Sequence, residues 1–216
     1  MRATGFFVTF EGGEGTGKTT QLKRLLAALR TAGRDPVETR DPGGTAIGNQ
    51  IRELLLDREN VRMAAPTELL LYEASRAQLV HEVIRPALSA GRIVLCDRFT
   101  DSTTAYQGYG RGLELSLVAR LNALGSDGVA PDLTFLFDLD PAVGLARAAE
   151  RLRAPRTGAD RIEGEVLAFH QRVREGFRAL ASAEPARVMV VDAGRGILEI
   201  EAELRRRLEA RIAGLE

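Results

Sequence analysis

The apolar run Phe6-Phe7-Val8-Thr9-Phe10 leads through Gly12-Gly13-Glu14-Gly15-Thr16-Gly17-Lys18-Thr19 into the helical pattern Gln21-Leu22-Lys23-Arg24-Leu25-Leu26. Strand, glycine loop and helix in that order fit few folds. The glycines let the backbone curl so that successive N–H groups point inward at an anion. The following helix adds the positive end of its dipole. Lys18 can reach the terminal phosphates of a nucleotide, and the Thr19 hydroxyl can hold a magnesium ion. The spacing is G-x-x-x-x-G-K-[ST], and the flanking strand and helix turn that pattern into a phosphate cradle. Gly12, Gly13, Glu14, Gly15, Thr16, Gly17, Lys18, Thr19 and Thr20 are therefore the candidate donor-nucleotide site. A plain glycine-rich surface turn would leave four glycines and two threonines around Lys18 unexplained.

The rest of the chain repeats this alternation. Apolar runs at residues 6–10, 36–39, 93–95, 133–139 and 188–191 read as buried strands. Helical patterns lie at 19–32, 46–57, 67–88, 115–124, 141–151, 163–182 and 197–212. Buried strands joined by helices make βαβ units and a parallel sheet. The expectation is a P-loop NTPase-like α/β fold, with a parallel five-stranded sheet flanked by helices on both faces. A chain of 216 residues fits one domain, 1–216, with a large core. Pro86 sits inside the third helical pattern and should kink or end it. Residues 153–159 carry Pro and Gly between two helical patterns and read as a mobile loop, within a lid segment of about 147–161.

Thirty basic residues balance thirty acidic ones. A neutral chain without a basic run argues against a nucleic-acid partner. Anion binding must then come from local arrangement. No apolar stretch approaches membrane-spanning length, so no membrane partner is expected. The apolar run near the N-terminus reads as a strand rather than a signal peptide. The single cysteine, Cys96, lies in an apolar run and cannot form a disulfide within the chain. It reads as a small core residue, and a reducing, cytoplasmic compartment is expected. His81 and His170 lack metal-ligand spacing.

In an open parallel sheet, ligands bind beyond the C-terminal ends of the strands. After the first strand comes the phosphate loop. Arg40-Asp41-Pro42-Gly43-Gly44-Thr45 follows the second, and Asp97-Arg98-Phe99 the third. Asp138 and Asp140 follow the fourth, and Asp192-Ala193-Gly194 the fifth. Polar chemistry thus gathers on one edge. Phosphoryl transfer needs alignment and neutralised charge more than covalent help. Arginine suits that task, because the planar guanidinium binds phosphate oxygens in pairs. Arg98 is a candidate. Asp97 beside it can hold magnesium through water, orient an arginine, act as a base, or simply form a structural ion pair. Arg147, Arg151, Arg153 and Arg156 form a second cluster beside the mobile loop. Such a flap can close over donor phosphates, although a solvated helix face has the same composition.

Three further segments resemble the bacterial thymidylate kinase family, whose members phosphorylate dTMP with ATP. Thr39-Arg40-Asp41-Pro42-Gly43-Gly44-Thr45 is similar to that family's T-R-E-P-G-G-T. Asp97-Arg98-Phe99-Thr100-Asp101-Ser102-Thr103-Thr104-Ala105-Tyr106-Gln107-Gly108 is similar to D-R-x-x-x-S-x-x-A-Y-Q-G. Asp160-Arg161-Ile162-Glu163 resembles the segment after the family's lid. Order and spacing match from about residue 6 to about residue 193. The resemblance implies ATP and Mg2+ as cofactors, dTMP as substrate, and a homodimer built on the 67–88 or 115–124 helices. It implies Arg98 as the clamp on the dTMP phosphate, with Arg52 as a second contact. Tyr72 then stacks on the base and Arg76, on the same helix face, donates to a base carbonyl. Thr103 falls at the pyrimidine edge, and Tyr106 and Gln107 at the sugar, with Tyr106 crowding a 2′-hydroxyl. Glu14 falls where a carboxylate contacts the 3′-hydroxyl. Thr19 and Asp97 are the implied magnesium contacts, and Asp192 flanks the adenine.

Some family members carry an arginine after the carboxylate of the phosphate loop; here that residue is Gly15. The glycine type implies a catalytic arginine from the lid, Arg156 first, with Arg153 and Arg151 behind it. Asp41 stands where glutamate is usual, and its shorter arm bears on a magnesium or phosphate-loop contact. Tyr72 stands where phenylalanine is common. The main alternative is a P-loop kinase for another nucleoside monophosphate, which would not need Tyr72, Arg76, Tyr106 and Gln107 in these places. A nucleotide switch is disfavoured because no N-K-x-D segment accompanies Asp41-Pro42-Gly43-Gly44.

Overall fold

The structure, a computed structural model, describes residues 5–152 and 160–213, except the side chains of 151 and 152. The strands are β1 (Phe6–Gly12), β2 (Val37–Arg40), β3 (Ile93–Asp97), β4 (Leu133–Asp138) and β5 (Val188–Asp192). They form one parallel sheet in the order β2-β3-β1-β4-β5. The helices are α1 (Lys18–Thr31), α2 (Ala46–Leu56), α3 (Ala65–Leu79), α4 (Arg85–Ser89), α5 (Thr100–Thr103), α6 (Leu115–Ser126), α7 (Pro141–Leu152), α8 (Leu167–Ala183) and α9 (Ile197–Ala213).

The two-residue alternation of a strand buries β1 on both sides. Phe6, Val8 and Phe10 join Leu22, Leu25 and Leu29 of α1 and Ile200, Leu204 and Leu208 of α9. Phe7 on the opposite face joins Leu79, Ile84, Val94, Cys96 and Phe99. Leu136 of β4 meets Tyr106 and the α8 residues Phe169, Val173 and Phe177. Layers on both faces are what a parallel sheet demands. The central strand pairs with β3 through Val8 opposite Leu95 and with β4 through Phe10 opposite Phe135. The chain turns to opposite sides of the sheet about β1, so a crevice opens beyond the ends of β1 and β3. The phosphate loop and Asp97-Arg98 both lie there.

The expected strands are all present, within two residues at each end. The 67–88 helix is instead divided. Its regular part ends at Leu79, a wider π-helical turn covers Val80–Ile84, and α4 begins beside Pro86. A proline ring clashes with the carbonyl four residues earlier, and the wider turn relieves the clash. The pattern at 163–182 starts late, at Leu167, because Asp160 Oδ1 first accepts the N–H groups of Ile162 (2.9 Å) and Glu163 (2.8 Å) in a turn. Residues 100–110, which hold most of the second family-like segment, form α5 and a π-helical turn over Thr104–Gly110. Its Thr, Tyr and Gly content gives little helix propensity to read.

Candidate active site

Gly17, at φ 88°, caps the N-terminus of α1. Lys18 is buried, and its Nζ donates to the carbonyls of Gly12 (3.0 Å) and Gly13 (2.6 Å) across its own loop. Burial, together with the like charge of Arg98, pushes the ammonium down to about 8; Glu14, Asp97 and Glu11 offset this only in part. Gly15 adopts φ +65°, and a Cβ there would lie 1.9 Å from the Gly144 carbonyl oxygen of α7. Backbone meets backbone at this point, so residue 15 has no room for an arginine.

The Thr19 hydroxyl donates to Asp97 Oδ2 at 2.7 Å, joining the first turn of α1 to the last residue of β3. Two hard oxygen donors therefore meet beside the phosphate loop, a donor set that suits magnesium. Among the described residues no group of three or more His, Cys, Asp or Glu side chains could hold a metal. A two-ligand protein contribution still fits magnesium, which keeps waters and takes phosphate oxygens. Thr16, Lys18, Thr19, Thr20, Asp97 and Arg98 line one groove with Glu14 and Arg52. Asp192 reaches the same sheet edge but not the lining of that groove; its carboxylate accepts the Gly194 N–H at 2.8 Å.

A second cleft, of about 530 Å³, opens beside the first. Glu14, Arg52, Tyr72, Arg76, Arg98, Thr103, Tyr106 and Gln107 all line it. Four segments distant in sequence are thus brought together. Glu14, Arg52 and Arg98 line both clefts. Arg98 sits at φ 71°, a left-handed conformation unusual for a side chain of its size. Backbone strain of this kind persists only where neighbours hold it. Here Arg98 Nη1 donates to Gly12 O (2.9 Å) and Ser102 Oγ (3.0 Å), and Nη2 to Glu14 Oε1 (2.8 Å). The guanidinium also lies 5.0 Å from the centre of the Tyr106 ring. The Tyr106 hydroxyl donates to the same Glu14 oxygen at 2.6 Å. Burial favours a neutral Glu14, but Arg98, Lys18 and the Tyr106 hydroxyl outweigh it and hold the carboxyl at about 2. Arg52 donates to Pro42 O at 3.0 Å, and burial with the like charge of Arg40 pushes its pKa down. An anion in the cleft would relieve that repulsion.

Arg76 is 1 % exposed, and four of its five N–H donors meet protein acceptors. Nε donates to Asp41 Oδ2 (2.6 Å), Nη1 to Glu73 Oε1 and Asn122 Oδ1 (both 2.7 Å), and Nη2 to Thr103 Oγ1 (2.6 Å). Asp41 is therefore a buried partner of Arg76; it makes no contact with the phosphate loop in the hydrogen-bond pattern. Glu11 belongs to none of the motifs. It accepts the Phe99 N–H (2.7 Å) and the Ser102 hydroxyl (2.5 Å), and so braces the Arg98 turn. A carboxylate inside an apolar strand directly before a phosphate loop was the signal available. Arg147 of the arginine cluster donates to Ala193 O at 3.0 Å, tying α7 to the end of β5. Arg153, Arg156 and the Arg151 side chain lie outside the described residues.

Residues 10–204 match the family model described as Thymidylate kinase. The chain is 58% identical over 189 residues to the thymidylate kinase of Solidesulfovibrio magneticus, covering 87% of this chain and 90% of that one. It is 56% identical over 194 residues to that of Geobacter sulfurreducens, covering 89% and 91%. The fold is similar to the crystal structure of thymidylate kinase from Ehrlichia chaffeensis, with a TM-score of 0.74 at 35% identity over 94% of this chain and 98% of that one.

Proposed function

The chain belongs to the thymidylate kinase family, and from that premise we propose how its residues share the work of the reaction. The enzyme phosphorylates dTMP to dTDP in the synthesis of dTTP, with ATP as the phosphate donor. In our reading the loop from Gly12 to Thr20 takes the donor phosphates, and the Lys18 charge meets the transferring group. Thr19 and Asp97 would hold magnesium, which when bound neutralises charge on the donor phosphates. Arg98 clamps the dTMP phosphate with Arg52. Tyr72 stacks on the base, while the remaining N–H of Arg76 and the hydroxyl of Thr103 face its polar edge. Gln107 completes the wall. Glu14 accepts from the 3′-hydroxyl, and Tyr106 fills the space of a 2′-hydroxyl. Asp192 flanks the adenine, and the segment of about 147–161 acts as a lid that brings Arg156, or failing that Arg153, to the donor. The crowding at Gly15 supports an arginine from outside the phosphate loop.

One observation carries this reading: Glu14, Arg52 and Arg98 border both clefts. Two anions held on either side of them would meet end to end, as in-line transfer requires. The test is ADP release with ATP and magnesium across dTMP, dUMP, UMP, CMP and GMP. dTMP should give the highest kcat/KM, and a higher value for any ribonucleotide would refute the pocket assignment. We further propose a homodimer through α3 and α6, where Leu70 and Leu124 are 56% and 74% exposed. Light scattering on the purified protein would report the mass. No helix among the described residues is long and apolar enough to cross a membrane; the ATP and dTMP requirement points our proposal to the cytoplasm.

A further inference from the structure

Glu68 has no part in the scheme above, yet it is 1 % exposed in the first turn of α3. Oε1 accepts Gln107 Nε2 at 2.8 Å and Arg111 Nε at 3.1 Å. Oε2 accepts Arg111 Nη2 at 3.0 Å and lies 2.6 Å from Arg161 Nη2. Burial works to neutralise this carboxyl, but the Arg111 and Gln107 hydrogen bonds and the two guanidinium charges outweigh it and push the pKa down. An ionised carboxylate only accepts hydrogen bonds. The Gln107 amide must therefore offer it nitrogen, which leaves Oε1 as the amide atom available to the cavity that Gln107 lines. Arg76, lining the same cavity, offers a donor. A donor beside an acceptor matches the carbonyl and N–H edge of thymine or uracil. Cytosine presents an amino group and a bare ring nitrogen, which reverses both. Arg161 extends the network to the cavity rim. Its Nε donates to Leu55 O (2.9 Å) and its N–H to Leu56 O (3.2 Å), while its neighbours Asp160 and Ile162 line the cavity.

We propose that Glu68 is a positioning residue for the acceptor base: without touching the nucleotide, it fixes which atom of Gln107 faces the cavity and anchors Arg161 at the rim. The proposal rests on the assignment of this cavity to dTMP. It is tested by steady-state kinetics on the full chain with dTMP and dCMP, using wild type, Glu68→Gln, Gln107→Leu and the double variant. In Glu68→Gln the partner can donate as well as accept, so the Gln107 amide is free to turn over. The preference for dTMP over dCMP should fall about tenfold, mainly through KM. In the Gln107→Leu background the same change should alter the preference by less than about twofold, since the two residues act as one unit. An unchanged preference in Glu68→Gln, or an equal fall with and without Gln107, overturns the proposal even if the melting temperature drops. Should Glu68→Gln fail to fold, Glu68→Asp keeps the charge on a shorter arm. The preference should then fall about threefold, and an unchanged value overturns the proposal. A wild type that does not turn over dTMP would instead overturn the cavity assignment itself.

Discussion

Lys18 should make donor binding depend on pH near 8, a range it shares with the buried Glu11, which burial and the charge of Asp101 push up to about 8. Burial first, and repulsion from Arg98 second, hold its ammonium at about 8. A donor phosphate stabilises the charged form, so the bound lysine has a higher pKa and binding is linked to proton uptake. The sign follows directly. Below about pH 8 the free lysine already carries its proton, and affinity is flat. Above it, the ammonium must first be re-protonated, and the dissociation constant grows as 1 + 10^(pH − 8) until the bound-state pKa is reached. Between pH 7.5 and pH 9 the rise is about eightfold, or about 1.3 kcal/mol. Phosphate ionisation is complete below this window and does not contribute. Calorimetric titration of ATP with magnesium, in two buffers of different ionisation heat, measures both quantities. At pH 8 about half a proton should be taken up per nucleotide bound. Lys18→Arg, which cannot deprotonate, should flatten the profile. A dissociation constant that varies less than about twofold over this window, with no proton uptake, would show that Lys18 keeps its proton throughout it.

Arg76→Ala leaves Asp41 and Glu73 buried without their cation. It should cost about 3–5 kcal/mol and lower the melting temperature by about 10 °C, besides weakening dTMP binding; a melting temperature within about 3 °C of wild type would show that the network does not stabilise the fold. Gly15→Arg forces a Cβ into the Gly144 carbonyl at positive φ. Stability should fall by about 2 kcal/mol or more with no gain in turnover, as seen in denaturant unfolding alongside the ADP assay. Asp97→Asn can still accept from Thr19 but has lost the charge. The magnesium concentration for half-maximal rate should rise about tenfold, and an unchanged value would remove Asp97 from the metal's surroundings.

Local pattern made the frame readable in advance. β1, β3, β4 and β5 carry short apolar runs with helical stretches between the strands, so a parallel sheet followed from the alternation; β2, Val37-Glu38-Thr39-Arg40, is a mostly polar edge strand marked chiefly by its place between two helical patterns. The acceptor residues were readable only as a set of motifs. Nothing in the spacing of Arg52, Tyr72, Arg98 and Gln107 says that they share a cleft; the crossovers of a β2-β3-β1-β4-β5 sheet bring them together. What stayed hidden was the support behind them. Glu68, Asn122 and Arg111 look like solvated polar residues in sequence, and even Glu11, set in an apolar strand, does not name its partners, because burial of a charge depends on groups supplied from elsewhere in the chain. Glu68 and Gln107 are 39 positions apart, and Glu11 and Ser102 are 91 apart. The π-helical turn at Thr104–Gly110 was hidden for a different reason. Its residues favour no regular structure, and the packing of Tyr106 against Phe169 and Phe177 of α8 holds it.

The neutral charge of the chain bears on how two anionic nucleotides can be held together. Arg98 and Arg76 meet carboxylates at 2.8 Å and 2.6 Å in the protein itself. A phosphate that engages Arg98 therefore shares or displaces Glu14, and the gain is the difference between two ion pairs rather than the whole of one. Glu14 cannot yield by taking up a proton, since its pKa is held at about 2. It must turn toward another donor, and in our reading a sugar hydroxyl or Lys18 can supply one. Arg40 and Arg52 differ from Arg98, because neither forms an ion pair with a described residue and their like charges oppose each other. A phosphate near them relieves an existing repulsion without breaking an ion pair. In our proposal Arg52, which lines the acceptor cleft whereas Arg40 lines only the neighbouring groove, attracts the acceptor phosphate, while Arg98, held by Gly12, Ser102 and Glu14, sets its position. In this proposal such a division lets the site attract a dianion and still release a product that carries more charge than the substrate did.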